Sequence, residues 1–138
     1  MVPTVTVVES EIYQERSERL LTEEERESLR SFLGEHPTVG DVVPGLDGLR
    51  KLRWTHQRRN KGKRGGTRII YFHATSDQMV VLLDVYSKEQ KEDLTSADRK
   101  ELKAALGELK AALAKNRNNR TGKKVSAWSA ASRRPRSR

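Results

Sequence analysis

Cysteine is absent from the 138 residues. That removes a disulfide framework and a thiolate catalyst, and it weakens any case for a structural zinc site. It fits a cytoplasmic protein, and a cytoplasmic location is the expectation. No apolar run approaches the roughly 18 residues of a membrane-spanning helix. The first residues carry no secretory pattern, so no membrane role is expected. Hydrophobic and charged residues each make up 34% of the chain, enough for one modest core rather than two independent ones.

Acidic residues are missing from two particular stretches. Residues 49–73 hold nine basic side chains and no acidic one, and residues 116–138 hold eight and none. The remainder is acidic or balanced, with net −7 over residues 1–48 and −1 over residues 74–115. The formal charge of +9 therefore belongs to two segments of an otherwise acidic chain. Nucleic acid is the default partner of such patches. Contacts to its phosphates would supply salt-sensitive affinity rather than sequence choice.

Along the chain, the β-rich run Thr4 to Val8 predicts a strand. A helical stretch with an irregular apolar face (Ile12, Tyr13, Leu20) follows. Thr22 and Glu25 form a capping-box pattern opening a second helix, buried through Leu29, Phe32 and Leu33 and ended by Gly34 and Pro37. Gly40-Asp41 and Pro44-Gly45 read as turns. Three strands are expected next: Leu49 to Trp54, Thr67 to His73 and Met79 to Tyr86, the last two forming an antiparallel hairpin across Ala74–Gln78. His56 to Gly66 joins the first two, with six basic residues counting His56 and three glycines. A final helix is capped by Thr95 and Asp98, with Leu102, Leu106, Leu109 and Leu113 at spacings of four, three and four. It should pack on the sheet or on the first two helices. The expected architecture is α+β, in the order β-α-α-β-β-β-α, with a small twisted, mostly antiparallel sheet. Residues 1–115 form the domain, and the basic tail 116–138 is expected to be disordered.

Most catalytic constellations are missing. There is no dinucleotide fingerprint, and Gly62-Lys63-Arg64-Gly65-Gly66 lacks the lysine-hydroxyl pair of a Walker phosphate loop. His36, His56 and His73 are scattered without ligand spacing, so neither metal nor cofactor is expected. What remains is fixed positive charge: Arg50, Lys51 and Arg53 on one strand, Arg58, Arg59, Lys61, Lys63 and Arg64 in the loop, Arg68 on the next strand, and Lys88 and Lys91 after the last. If the hairpin forms, Arg68 and Lys88 converge at one end of the sheet. Cleavage of RNA needs few specialised groups, because its own 2′-hydroxyl can attack the adjacent phosphate. Arginine grips two phosphate oxygens and stays charged. A lysine crowded by other cations titrates lower, which opens proton transfer to it. Each candidate has a plainer role: an ion pair for Arg68, RNA binding alone for Lys61, Lys63 and Arg64, and turn solubility for Lys88. Tyr86 is either a base-stacking platform or core, His56 an acid–base group or a solvated loop residue, and Trp54 a sheet-face anchor.

The run Gly48-Leu49-Arg50-Lys51-Leu52-Arg53, the run from Gly62 through Thr67-Arg68-Ile69-Ile70-Tyr71-Phe72, and the run Leu83-Asp84-Val85-Tyr86-Ser87-Lys88 to Leu94 together resemble the HigB branch of the RelE-like toxins. Gly40-Asp41-Val42-Val43 and Gly45 look like the same branch, and the resemblance covers roughly residues 4–113. It implies a compact sheet carrying helices on one side, and a toxin of a type II toxin–antitoxin pair. Such a toxin is an mRNA interferase, a metal-independent endoribonuclease that cuts mRNA in the ribosomal A site by 2′-hydroxyl attack and so inhibits translation. Implied partners are the ribosome with its mRNA and a cognate helix-turn-helix antitoxin, through which the complex binds operator DNA. By this resemblance Arg68 contacts the scissile phosphate, Lys61, Lys63 and Arg64 correspond to the basic loop, and Lys88 holds the basic position after the last strand; Arg68, Lys88, Lys63 and Arg64 are the expected catalytic residues. Arg50, Arg53, Arg58, Arg59, Lys61, Tyr86 and Lys91 are the expected RNA contacts. The tyrosine found near the carboxyl end of some relatives has no clear counterpart: Tyr86 comes too early, and Thr95 stands near its place.

The alternative is a catalytically inactive RNA- or ribosome-binding protein of the same fold. A DNA-binding regulator fits less well, because the positive charge lies on strands and loop and no recognition helix stands out. The tail is either a ribosomal-RNA binder, a segment that orders on the antitoxin, or an inert extension.

Overall fold

The computed structural model describes residues 5–54 and 66–118. They form β1 (Thr6–Glu9), α1 (Glu11–Leu20), α2 (Glu23–Glu35), β2 (Asp41–Val42), β3 (Arg50–Trp54), β4 (Thr67–Ala74), a short 3-10 turn (Thr75–Asp77), β5 (Met79–Ser87) and α3 (Ser96–Asn118). The sheet order is β1-β5-β4-β3-β2. Only β1 and β5 run parallel, and the other three pairings are antiparallel. The α+β class and the mostly antiparallel sheet are as expected.

Local chemistry accounts for the helix starts. The Ser10 side chain accepts from the Tyr13 N–H and opens α1. Thr22 and Glu25 complete a capping box at α2, satisfying amides that the first turn leaves without partners. Thr95 and Asp98 do the same for α3, each side chain accepting from the other's backbone N–H at 3.0 and 2.9 Å. The helix α3 continues through Asn118.

Alternation along β4 and β5 sends apolar side chains to both faces. Ile69, Tyr71, Val80, Leu82 and Val85 join Tyr13, Leu29 and Leu33 of α1 and α2 in one core. Ile70, Ala74, Val81 and Leu83 join Leu102, Leu106, Leu109 and Leu113 of α3 in the other. The sheet is thus covered on both sides, not on one as the resemblance implied. The physical reason is visible in β5, where Val80 through Tyr86 are all buried; such a strand needs a cover on each face. Each fully buried leucine of α3 contributes about 1.5–3 kcal/mol.

Two features escape local patterning. Asp41, expected with Gly40 as a turn, forms with Val42 the edge strand β2 against Lys51 and Arg50. Two residues cannot display an alternation; their place comes from partners elsewhere. The Arg50 guanidinium donates to the Gly40 carbonyl at 2.6 Å and the Thr38 carbonyl at 3.1 Å. The Tyr71 hydroxyl accepts from the Gly40 N–H and donates to the Pro37 carbonyl, both at 2.9 Å. A side chain at Gly40 would place its Cβ 2.9 Å from the Tyr71 ring, so glycine is required for this close approach. The second feature is a bulge in β5. Ile70 pairs with Asp84 but Tyr71 pairs with Leu82, leaving Leu83 as the extra residue.

Candidate nucleic-acid interface

The antiparallel register of β3, β4 and β5 builds a row across one end of the sheet. Arg53 stands opposite Arg68, and Arg68 stands opposite Tyr86. With neighbouring strands 4.7–4.9 Å apart, the row spans about 10 Å. Opposed residues share a face, so Arg53 and Arg68 lie on the same side as Tyr86, the α3 side. Like charges directly opposite one another oppose folding. Lys88 leaves the sheet at this end, its N–H donating to the Gly66 carbonyl at 3.3 Å. The chain departs from Trp54 and returns at Gly66 here too. Arg58, Arg59, Lys61, Lys63, Arg64 and His56 belong to the connecting segment, which lies outside the described residues.

The other residues named from sequence fall as follows. Arg50 lies across from Tyr71, on the opposite face, with its guanidinium on the Gly40 and Thr38 carbonyls. The structure therefore does not bring it to the row. Lys51 shares the Arg53 face, and its ammonium reaches Asp93 in the loop after β5 at 3.1 Å. Lys91 is held by Asp98 at 2.8 Å and sits 5.3 Å above the centroid of the Tyr86 ring. Tyr86 is only 2% exposed and belongs to the α3-side core. A base would meet its ring only after Lys91 moved aside. Trp54 packs against Phe32, ring centroids 5.5 Å apart, on the α2 side, the anchoring role expected of it.

The titrating groups near the row are displaced in ways the geometry explains. Burial pushes the Tyr86 phenol up to about 12, Asp93 adds to the shift, and Arg68 opposes it. The phenol has no hydrogen-bond partner among the described residues. Burial alone would raise the Asp98 carboxyl, but the Lys91 ammonium and Thr95 outweigh it and hold the group below its ordinary range. Asp93 is also lowered, chiefly by the Leu94 N–H and then by Lys51. The loop 88–95 is thereby pinned to β3 through Asp93 and to the start of α3 through Lys91.

Beside the row, sequence reasoning missed a cleft of about 280 Å³ lined by Arg16, Arg19, Leu20, Val85, Tyr86, Gln90 and Lys91. Arg16 of α1 reaches the buried Asp84 carboxylate at 2.7 Å. That same oxygen accepts the Val85 N–H, also at 2.7 Å. A carboxylate inside an otherwise apolar strand was the available signal, because a buried charge demands a partner. A wider depression of about 540 Å³ on α2 is lined by Glu24, Glu27, Ser28, Arg30 and Ser31, none of them in the row. Among the described residues no group of three or more His, Asp or Glu side chains could hold a metal ion. Among them, too, no helix is long and apolar enough to cross a membrane.

No family model matches the chain. Among solved structures it is similar to the free-state structure of a doubly arginine-substituted mutant of E. coli toxin RelE. The similarity covers 64% of this chain and 88% of that one, with 17% sequence identity and a TM-score of 0.47.

Proposed function

We propose that this chain is a toxin of a type II toxin–antitoxin pair, an endoribonuclease of the HigB kind that cuts mRNA in the ribosomal A site. The observation that carries the reading is the row of Arg53 and Arg68 at the sheet end where the connection 55–65, basic and without an acidic residue, departs and returns. The quoted sequence runs support it, since they resemble that branch in order and carry Arg68 and Lys88 within them.

In the proposed reaction the 2′-oxygen attacks the adjacent phosphorus while the bond to the 5′-oxygen breaks. The products are a 2′,3′-cyclic phosphate and a 5′-hydroxyl. One proton leaves the 2′-hydroxyl and one arrives on the departing oxygen. Arg68 holds the non-bridging oxygens as their charge grows, and Arg53 steadies the neighbouring phosphate. Lys88, with Lys63 from the connection, serves the proton transfers, while Arg64, which stays charged, adds positive charge alone. Tyr86, at about 12, stays protonated near neutrality and is no base. The route uses no metal and no cofactor. A helix-turn-helix antitoxin would block the row or ribosome entry and carry the pair to operator DNA.

The buried Tyr86 phenol also favours a second reading: a binder of RNA or the ribosome that lacks a working base. Induced expression in growing cells tests both. The toxin should arrest growth with mRNA cleavage, Arg68→Ala should not, and a neighbouring helix-turn-helix reading frame should relieve the arrest. Arrest without cleavage supports the binder, and no arrest at full expression contradicts the toxin.

A further inference from the structure

We infer that the cleft between α1 and the loop after β5 is a second binding site for the RNA backbone, where Arg16, Arg19 and Lys91 take the phosphate beyond Tyr86. This rests on RNA being the ligand of the Arg53–Arg68 row. The topology makes the cleft the next stop along that row. The parallel partner β1 pairs with β5 only from Met79 to Leu82, so the stretch Leu83 to Ser87 has no strand on its outer side. Helix α1 fills that place instead, bringing Arg16 and Arg19 beside Val85 and Tyr86. A strand crossing Arg53, Arg68 and Tyr86 meets these arginines before it meets solvent.

The cleft is not waiting for another β-strand. Two amides of this stretch are closed by side chains, the Val85 N–H by Asp84 at 2.7 Å and the Ser87 N–H by Gln90 at 3.0 Å. Its charges are arranged for an anion. Asp84 is held by Arg16, and Asp98 by Lys91, so neither of these two carboxylates is left uncompensated, while Glu101 of α3 also acts on Arg16. The Arg16 side chain remains 47% exposed, and a guanidinium with one donor engaged has others to offer. Arg19 is exposed in the last turn of α1 and has no ion-pair partner among the described residues. Tyr86, which lines the same cleft, has a buried phenol without a hydrogen-bond partner. At about 280 Å³ the space is at the small end of ligand pockets. It suits one sugar-phosphate unit. An acidic peptide would also find cations here, but nothing then connects the cleft to the row.

The test is binding of a short single-stranded RNA to the full chain over a range of salt, for wild type, Arg19→Ala, Arg19→Lys and Arg53→Ala. Arg19 is exposed on α1, so its replacement leaves the fold intact. Arg19→Ala should weaken binding at least about threefold, and the slope of log affinity against log salt should fall by about 0.7, the value of one single-strand phosphate contact. Arg19→Lys should keep the slope. Arg19→Ala binding like wild type while Arg53→Ala loses affinity would overturn the second site and leave the proposed function standing. Both variants binding like wild type would overturn the proposed function as well. Arg19→Ala losing an acidic peptide but not RNA would make the cleft a protein-docking site and end the inference.

Discussion

Arg53 and Arg68 face one another across β3 and β4, two like charges directly opposite in an antiparallel pair. Residues directly opposite in an antiparallel pair have Cα atoms about 4.5–5.5 Å apart, within reach for two guanidinium groups to repel. Opposed like charges cost roughly 0.2–1 kcal/mol, and the exposure of Arg53 puts this pair toward the low end. Threonine suits a strand and carries no charge. Arg53→Thr should therefore stabilise the protein by about 0.2–0.5 kcal/mol, or about 1–4 °C in Tm for a domain of this size. The clean measure is a double-mutant cycle with Arg53→Thr and Arg68→Thr, followed by urea denaturation at low and high salt. The coupling should be repulsive at low salt and vanish as the Debye length shrinks toward about 3 Å at 1 M. The same Arg53→Thr variant should bind RNA more weakly, because the repulsion is relieved by the polyanion in the bound state. A coupling that is attractive at low salt, or a stability gain with RNA binding untouched, would refute this reasoning.

Three further outcomes are expected. Tyr71→Phe removes the acceptor of the buried Gly40 N–H and the bond to Pro37, so it should cost about 1–3 kcal/mol with an unchanged denaturant m-value. Phenolate absorbance should rise at higher pH in the folded protein than in the unfolded chain, because burial raises Tyr71 and pushes Tyr13 and Tyr86 to about 12, and these are all the tyrosines of the chain. Such raised groups add stability that is complete below the unfolded value of 10.0 and lost as pH rises through the folded value, so absorbance and loss of circular dichroism should rise together. Asp98 is held below its ordinary 3.8, so it adds stability above that pH that is lost as pH falls through the folded value. Asp98→Asn should accordingly flatten the acid limb of a stability–pH curve.

What was legible in the sequence is what neighbours in the chain decide. The Thr22–Glu25 capping box, the leucines of α3 at spacings of four, three and four, and the β4–β5 hairpin all rest on contacts within a few residues or across one turn. The hairpin was enough to bring Arg68 and Lys88 to the same end. What was hidden depends on distant partners. The strand β2 exists because Arg50 and Tyr71 hold Gly40 from below the sheet. The bulge at Leu83 sits where the Ser10 N–H meets the Leu82 carbonyl, a contact between residues 72 positions apart. Alternation told which residues share a face with Arg50 but not that two carbonyls occupied its guanidinium. Nothing local sets Arg16 and Arg19 apart on the acid-rich α1; their setting comes from α1 lying beside Val85 and Tyr86 of β5.

The central claim is that Arg68 lies at the centre of an RNA-cleaving site that works in the ribosomal A site. The most direct measurement maps cleavage of a defined mRNA in a purified translation reaction, with and without ribosomes, for the intact protein and Arg68→Ala. Ribosome-dependent cuts within the A-site codon, ending in a cyclic phosphate and lost in the variant, are the predicted result. No cuts under conditions where the protein binds the ribosome fully, or equal cutting by Arg68→Ala, would contradict it.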